Sequence, residues 1–271
     1  MGDRNKTAYT SSGIVKHYAS LNYLQPAEAA ILKRLQAQLP TMTMLDIGVG
    51  AGRTTQYFAP LVKQYVGVDY SPEMIAACQR RFKDAQDAQH SMRFDVVDAR
   101  NLSQFEDSSF DFILFSYNGI DYVSHEDRLK ILAEVKRMGK PGGYFLFSSH
   151  NLQVLERNLT WKKQFSLNPI RIGANLIILG LFWRLNPSLD RQTVANSDYL
   201  VVRDDSHQYR LDTYYIRAAQ QLNQLSKDFS QVEIHAWKDG EESLSLDSPA
   251  METALWLYYL CRINPTKGIS A

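Results

Sequence analysis

An apolar run broken by three glycines at alternate positions, Leu45-Asp46-Ile47-Gly48-Val49-Gly50-Ala51-Gly52-Arg53-Thr54-Thr55, constrains this chain more than any other stretch. Glycines so spaced remove the side chains that would keep a ligand off the main chain. A helix opened by the threonines behind them aims its first N–H groups at the same place. The segment therefore reads as strand, turn and helix with a nucleotide-like ligand against the turn. A dinucleotide site of G-x-G-x-x-G/A spacing fails in both frames, because Arg53 or Thr55 falls on the last position. Asp46 also argues against a pyrophosphate, since a carboxylate before the first glycine repels an anion and welcomes a cation.

S-adenosylmethionine (SAM), with an ammonium, a sulfonium and no phosphate, suits that charge pattern. A nucleoside site on a βαβ unit further needs an acid about 20 residues on, at the end of the second strand, for the ribose hydroxyls. Asp69 stands there, after the β-rich run Tyr65-Val66-Gly67-Val68 and before Ser71-Pro72-Glu73, which caps and opens a helix. In these two motifs the chain resembles the class I SAM-dependent methyltransferases. The resemblance implies an α/β fold: a Rossmann-like, seven-stranded, mostly parallel sheet with an antiparallel terminal hairpin, an N-terminal helical cap and an inserted lid. It implies SAM as cofactor, with contacts from Tyr18, Asp46, Gly48, Gly50, Gly52, Asp69, Tyr70, Asp98, Ala99, Ser116 and Asn118. Asp98, closing the strand-like Phe94 to Ala99, is the residue expected to receive the adenine amino group.

Further along, Phe110 to Phe115 is an almost continuous apolar run, as expected of a central strand buried on both faces. The polar and aromatic Ser116 to Tyr122 follows at its carboxyl end, where open α/β sheets place ligands. A helix from Glu126 to Met138 stops at Gly139-Lys140-Pro141-Gly142-Gly143, before a strand from Tyr144 to Ser149. That breaker cluster is similar to the Leu-Lys-Pro-Gly-Gly turn of the same family. Ser116-Tyr117-Asn118-Gly119 stands where family members acting on nucleobase or glutamine amines carry Asn/Asp-Pro-Pro-aromatic, which argues against those acceptors.

With 271 residues, 45% of them hydrophobic, the chain suffices for one sheet core with additions, read as one domain. Its parts are a cap over 1–43, a SAM-binding core over 44–150, a lid over 151–215 and closing elements over 216–271. A net charge of +1 excludes a strongly basic nucleic-acid footprint. Two cysteines and a start without an apolar targeting core favour a reducing cytoplasm. Met1-Gly2 hints at myristoylation, but Lys6 stands where Ser or Thr is needed. No repeat or metal-ligand spacing is present.

Ala27 to Leu39 reads as an amphipathic cap helix, Arg217 to Phe229 as a closing helix, and Val232 to Trp237 and Ala254 to Cys261 as the terminal strands. Roughly sixty residues between the fifth strand and the closing helix exceed what a minimal fold needs, and such insertions at a ligand edge commonly act as lids. Asn158 to Leu185 is apolar, with Trp161, Phe165, Trp183 and the bases Lys162, Lys163, Arg171 and Arg184. It falls short of the roughly 20 residues of a membrane span. It reads first as a buried helix and second as a membrane-surface or acyl-binding one. Ser197 to Arg203 and Gln208 to Tyr215, joined by Asp204 to His207, read as a hairpin.

Methyl transfer is a direct displacement, so the enzyme must align the nucleophile and free it of its proton. His150, where the fifth strand runs out, is the best candidate base. Asp121, Tyr122 and His125 are weaker alternatives, and His207 and His235 look peripheral. The expected activity is SAM-dependent methylation of a hydroxyl or amine on a small molecule of sugar or natural-product type. Two other classes are a membrane-docked lipid or quinone-type methyltransferase and a SAM-binding regulator without chemistry. The oligomeric state is not readable.

Overall fold

The computed structural model of the protein describes residues 15, 18–86, 91–160, 168–204, 209–238, 240 and 243–265. Residues 1–13, His17, Trp161, Lys162, Lys163, Phe165 and the hairpin residues Asp205, Ser206 and His207 lie outside the described residues. Alternating apolar side chains build a sheet with a core on each face. Along β1 (Thr43–Ile47), Leu45 and Ile47 enter one core and Met44 the other. Along β4 (Phe110–Phe115), Ile113 and Phe115 join the first core, Phe112 and Leu114 the second. The first core takes Ile131, Leu132 and Val135 from α5 (His125–Met138); the second takes Ala27, Ile31 and Leu35 from α1 (Pro26–Leu35) and Ile75 and Cys78 from α3 (Pro72–Arg81). Helices thus cover both faces, which parallel strands require.

β2 (Gln64–Asp69) and β3 (Ser91–Val96) extend the sheet on one side of β1 and β4, with β5 (Gly139–Asn151) on the other, all parallel. β9 (Trp256–Ile263) pairs antiparallel with β5, and β8 (Phe229–Ala236) antiparallel with β9. These seven strands are the expected sheet. Nine are described, because the inserted hairpin of β6 (Tyr199–Val202) and β7 (Thr213–Ile216) joins it: His150 and Asn151 at the end of β5 pair with Tyr215 and Ile216. Boundaries move too. β3 stops at Val96, two residues short of Asp98, and α1 ends at Leu35, before a one-turn helix over Leu39–Thr41. β5 begins at Gly139, so the breaker cluster runs alongside β4 across an irregular register instead of forming a separate turn. The closing helix is Ala218–Leu225 (α9), after a short α2 (Thr55–Phe58) and α4 (Lys83–Gln86) in the first half.

The insert holds α6 (Leu152–Asn158), α7 (Pro169–Leu185), α8 (Arg191–Asn196) and the hairpin, with its own small core of Leu152, Leu155, Phe182, Val194 and Val202. Arg217 ties it down through Glu156 and the carbonyls of Val194 and Ala195. Here the expectation of a buried lid helix is corrected: among the described side chains of α7 only Phe182 is buried. The small core is filled by α6, α8 and β6, which leaves room for one face of α7 and exposes the rest. No helix among the described residues is long and apolar enough to cross a membrane.

Candidate active site

The glycine loop leaves β1 where the ligand edge of the sheet opens. Gly50 has φ +55° and Gly52 φ +85°, left-handed conformations that side chains with a Cβ rarely adopt. At Gly52 a Cβ would come within 2.4 Å of the Phe82 ring, so this glycine lets the loop pack on α3. At Gly50 it would meet only the Tyr18 ring, at 3.8 Å, so a side chain there would stand in the cleft. That cleft, of about 1040 Å³, is lined by Tyr18, Gly48, Gly50, Asp69, Tyr70, Asp98, Ala99, Ser116 and Tyr122 among others. Gly52, Asp46 and Asn118 do not line it. Asp46 is buried behind the loop, where its carboxylate accepts the hydroxyls of Thr54 (2.5 Å) and Tyr65 (2.6 Å); burial still pushes it up to about 6.

Asp69 accepts the backbone N–H groups of Gly50 (3.0 Å) and Ser71 (2.9 Å), so one carboxylate joins the loop to the end of β2. Burial pushes it up to about 6 against these two bonds. An ionised carboxylate accepts two hydroxyls, a protonated one does not, and so acidification through pH 6 should weaken a ligand held there. Nucleoside affinity is expected to fall by up to about tenfold per pH unit below 6; calorimetric titrations across that range check it, and a flat profile removes Asp69 from the contact set. Asp98 grips Arg100 through both oxygens, at 2.5 and 2.9 Å, at the cleft rim.

A second cavity, of about 1310 Å³, lies under the insert and contains His150, Asn151, Tyr215 and Trp256. Rings stand between the two cavities: Tyr122 is 6.2 Å from His150, and Tyr117 6.2 Å from Trp256. His150 Nδ1 is 2.7 Å from Asp121 Oδ2, which also accepts the His150 backbone N–H at 2.6 Å. Arg128, wholly buried, donates to Asp121 Oδ1 at 2.5 Å, and the Ser149 hydroxyl adds a bond at 2.8 Å. With the proton fixed on Nδ1 by the carboxylate, Nε2 holds the lone pair. The Asn118 amide nitrogen lies 3.3 Å from it. Tyr117 and Asn118 both adopt left-handed conformations, φ 55° and 60°, and the Ser148 hydroxyl accepts the Asn118 N–H at 2.8 Å to hold the second. Asn118 Oδ1 is buried with no partner among the described residues. His125 is turned elsewhere, 2.8 Å from the Tyr214 hydroxyl and stacked on Tyr199, and lines neither cavity. His235 is buried in β8, away from both.

Sequence reasoning missed the ion pair beneath the cofactor cleft. Arg53, the residue that breaks the dinucleotide spacing, is bidentate to Glu28 of α1 at 2.6 Å for each bond, and both side chains are buried. Ser116 and Tyr258 donate to the same Glu28 oxygen, and the guanidinium lies 4.8 Å from the Tyr117 ring centre. Burial would raise the Glu28 carboxyl, but Arg53 and these donors hold it below its usual range. One signal was available: Gln25-Pro26-Ala27-Glu28 is a helix start with an acid at its third position, which reads as a surface cap.

Residues 44–143 match the methyltransferase-domain family. The chain is 32% identical over 153 residues to phosphoethanolamine N-methyltransferase 2 of Caenorhabditis elegans, covering 54% of this chain and 34% of that protein. It is 31% identical over 118 residues to the demethylmenaquinone methyltransferase of Protochlamydia amoebophila, covering 42% of this chain and 46% of that protein. The chain spans less than half the length of the curated relatives it matches. A crystal structure of 1,6-didemethyltoxoflavin-N1-methyltransferase from Burkholderia thailandensis, with bound 1,6-didemethyltoxoflavin and S-adenosylhomocysteine, shares the fold with a TM-score of 0.58 at 16% identity, covering 98% of this chain and 92% of that one. Residues 44–143 form a methyltransferase domain of the class I SAM-dependent type. SAM is the cofactor of that family, and the cleft fits it: side-chain-free backbone at Gly48 and Gly50, carboxylates at Asp69 and Asp98, and apolar walls such as Val97 and Ile131.

Proposed function

We propose that the protein methylates a small-molecule acceptor, with the first cavity holding SAM and the second the acceptor. SAM supplies an electrophilic methyl group when bound. The two relatives named above are a phosphoethanolamine and a demethylmenaquinone methyltransferase, so acceptor chemistry is read from this chain's own residues. The observation that carries the reading is the His150–Asp121 pair at 2.7 Å, at the wall between the two cavities. Asp121 holds the ring and its tautomer, Arg128 supplies the buried counter-charge to Asp121, and Nε2 takes a proton from the acceptor. A hydroxyl needs that service; an amine that binds neutral needs only orientation. A hydroxyl acceptor is therefore favoured over an amine.

The test is transfer of label from methyl-labelled SAM to panels of hydroxyl and amine acceptors by the wild type and by Asp121→Asn. Hydroxyl methylation is expected, slowed roughly 10²-fold in the variant because the base loses its tautomer and orientation, with SAM affinity retained. Asp121 acts through His150 and is a positioning residue, so a shift of the pH profile should accompany the loss. Label entering amines alone, at the same rate in both proteins, would contradict the base.

A further inference from the structure

The face of α7 turned away from the protein is apolar, where a surface helix is ordinarily polar. Ile170 is 81% and Ile177 71% exposed, Leu176 is 46% exposed, and Gly173 and Ala174 add no polar group. The opposite side, through Asn175, Ile178, Leu179 and Phe182, forms a wall of the cavity that holds His150. Charge is uneven as well. Between Glu156 and Asp190 the sequence carries five bases and no acid, in a chain with 30 of one kind and 29 of the other. Arg171 and Arg184 stand exposed near the two ends of the apolar face. Seventeen residues make about 25 Å of helix, short of the roughly 30 Å of hydrocarbon in a bilayer. Such a helix can lie along a bilayer surface and cannot cross it.

We infer that α7 docks the protein on an anionic lipid surface, from which the apolar end of an amphiphilic acceptor enters the cavity behind the helix. The docking stands by itself; the acceptor class rests on the function proposed above. Charge selects the occupant. A second copy of this chain seated on α7 would bring its own bases against these, a like-charge meeting, whereas anionic headgroups neutralise them. Apolar burial and basic flanks together are the means by which interfacial helices bind. The cavity continues the same chemistry inward: Val154, Leu155, Leu159 and Phe182 offer an alkyl chain an apolar wall, and His150 and Tyr215 meet its polar head. A lipid acceptor would thus reach the base without leaving the surface it came from.

Flotation of the full chain with vesicles of phosphatidylcholine, with and without phosphatidylglycerol, tests the docking. Binding is expected to the vesicles that contain phosphatidylglycerol and to weaken as salt is raised. The double variant Ile170→Glu/Ile177→Glu, whose residues line neither cavity, should lower it by roughly tenfold or more. SAM affinity, read separately by calorimetry, should be equal in both proteins, which shows that the variant is folded. A wild type that binds SAM but ignores vesicles with phosphatidylglycerol overturns the docking and leaves the proposed function standing. A wild-type dimer in sedimentation that Ile177→Glu splits also overturns it, because a second copy then covers the helix.

Discussion

His150→Ala is expected to lower the turnover of a hydroxyl acceptor by roughly 10²- to 10⁴-fold, the usual contribution of a positioned base. Cofactor affinity should stay close to that of the wild type, because His150 lines the second cavity and not the first. The residual rate should climb with pH, as ionised acceptor becomes available without help. Steady-state kinetics against pH, with calorimetry of SAM on the same preparation, separates the outcomes. Loss of SAM binding would make the histidine structural, holding the end of β5 against β7 and β9. Full activity would mean that orientation alone suffices, as for an amine that arrives neutral.

Glu28→Gln is expected to cost about 3–5 kcal/mol of stability, the range for breaking one partner out of a buried ion pair. Arg53 would keep its charge in a buried site with its main counter-ion gone, and the Ser116 and Tyr258 hydroxyls would lose a charged acceptor. At about 2–4 °C per kcal/mol for a chain near this size, the melting temperature should drop by roughly 6–20 °C. Replacing both partners, Glu28→Gln with Arg53→Met, should recover part of the loss, since the double variant leaves no bare buried charge. The pH dependence has a definite sign. Glu28 is held below its usual range when folded, so its contribution is complete above the unfolded carboxylate value and is lost only as pH falls through the lower folded value. Thermal melts from neutral pH downward should show the wild type and Glu28→Gln converging in acid. A gap that widens on acidification would contradict the ion pair's role.

Local chemistry made much of this site readable from sequence. Gly50 and Asp69 declare themselves because a backbone-exposing turn and a carboxylate at a strand end are set by residues close in the chain. The buried strand Phe110–Phe115 shows as an unbroken apolar run for a similar reason. What escaped depends on contacts between distant residues. Asp121 and His150 were both candidates, yet their pairing spans 29 positions, and only the fold turns two alternatives into one unit. Glu28 reads as an ordinary helix-start acid until β1 and α1 bring Arg53, 25 positions on, against it. Asp46, preceding the glycines, reads as a ligand contact; its side chain points behind the loop instead, to Thr54 and Tyr65. In α7 the sequence is apolar on nearly every side, so periodicity marks no face and does not tell the exposed outer side from the buried one.

Calorimetric titration of SAM and of NAD into the wild type and Asp69→Ala tests whether the glycine loop and Asp69 form a SAM cradle. SAM is expected to bind in the micromolar range, near about −8 kcal/mol, and NAD far more weakly. Hydrogen bonds to a charged acceptor contribute about 1.5–3 kcal/mol each, so removal of the carboxylate should weaken SAM by roughly a hundredfold or more. Preference for NAD, or equal SAM affinity in the two proteins, would mean that the loop and Asp69 are not a SAM cradle.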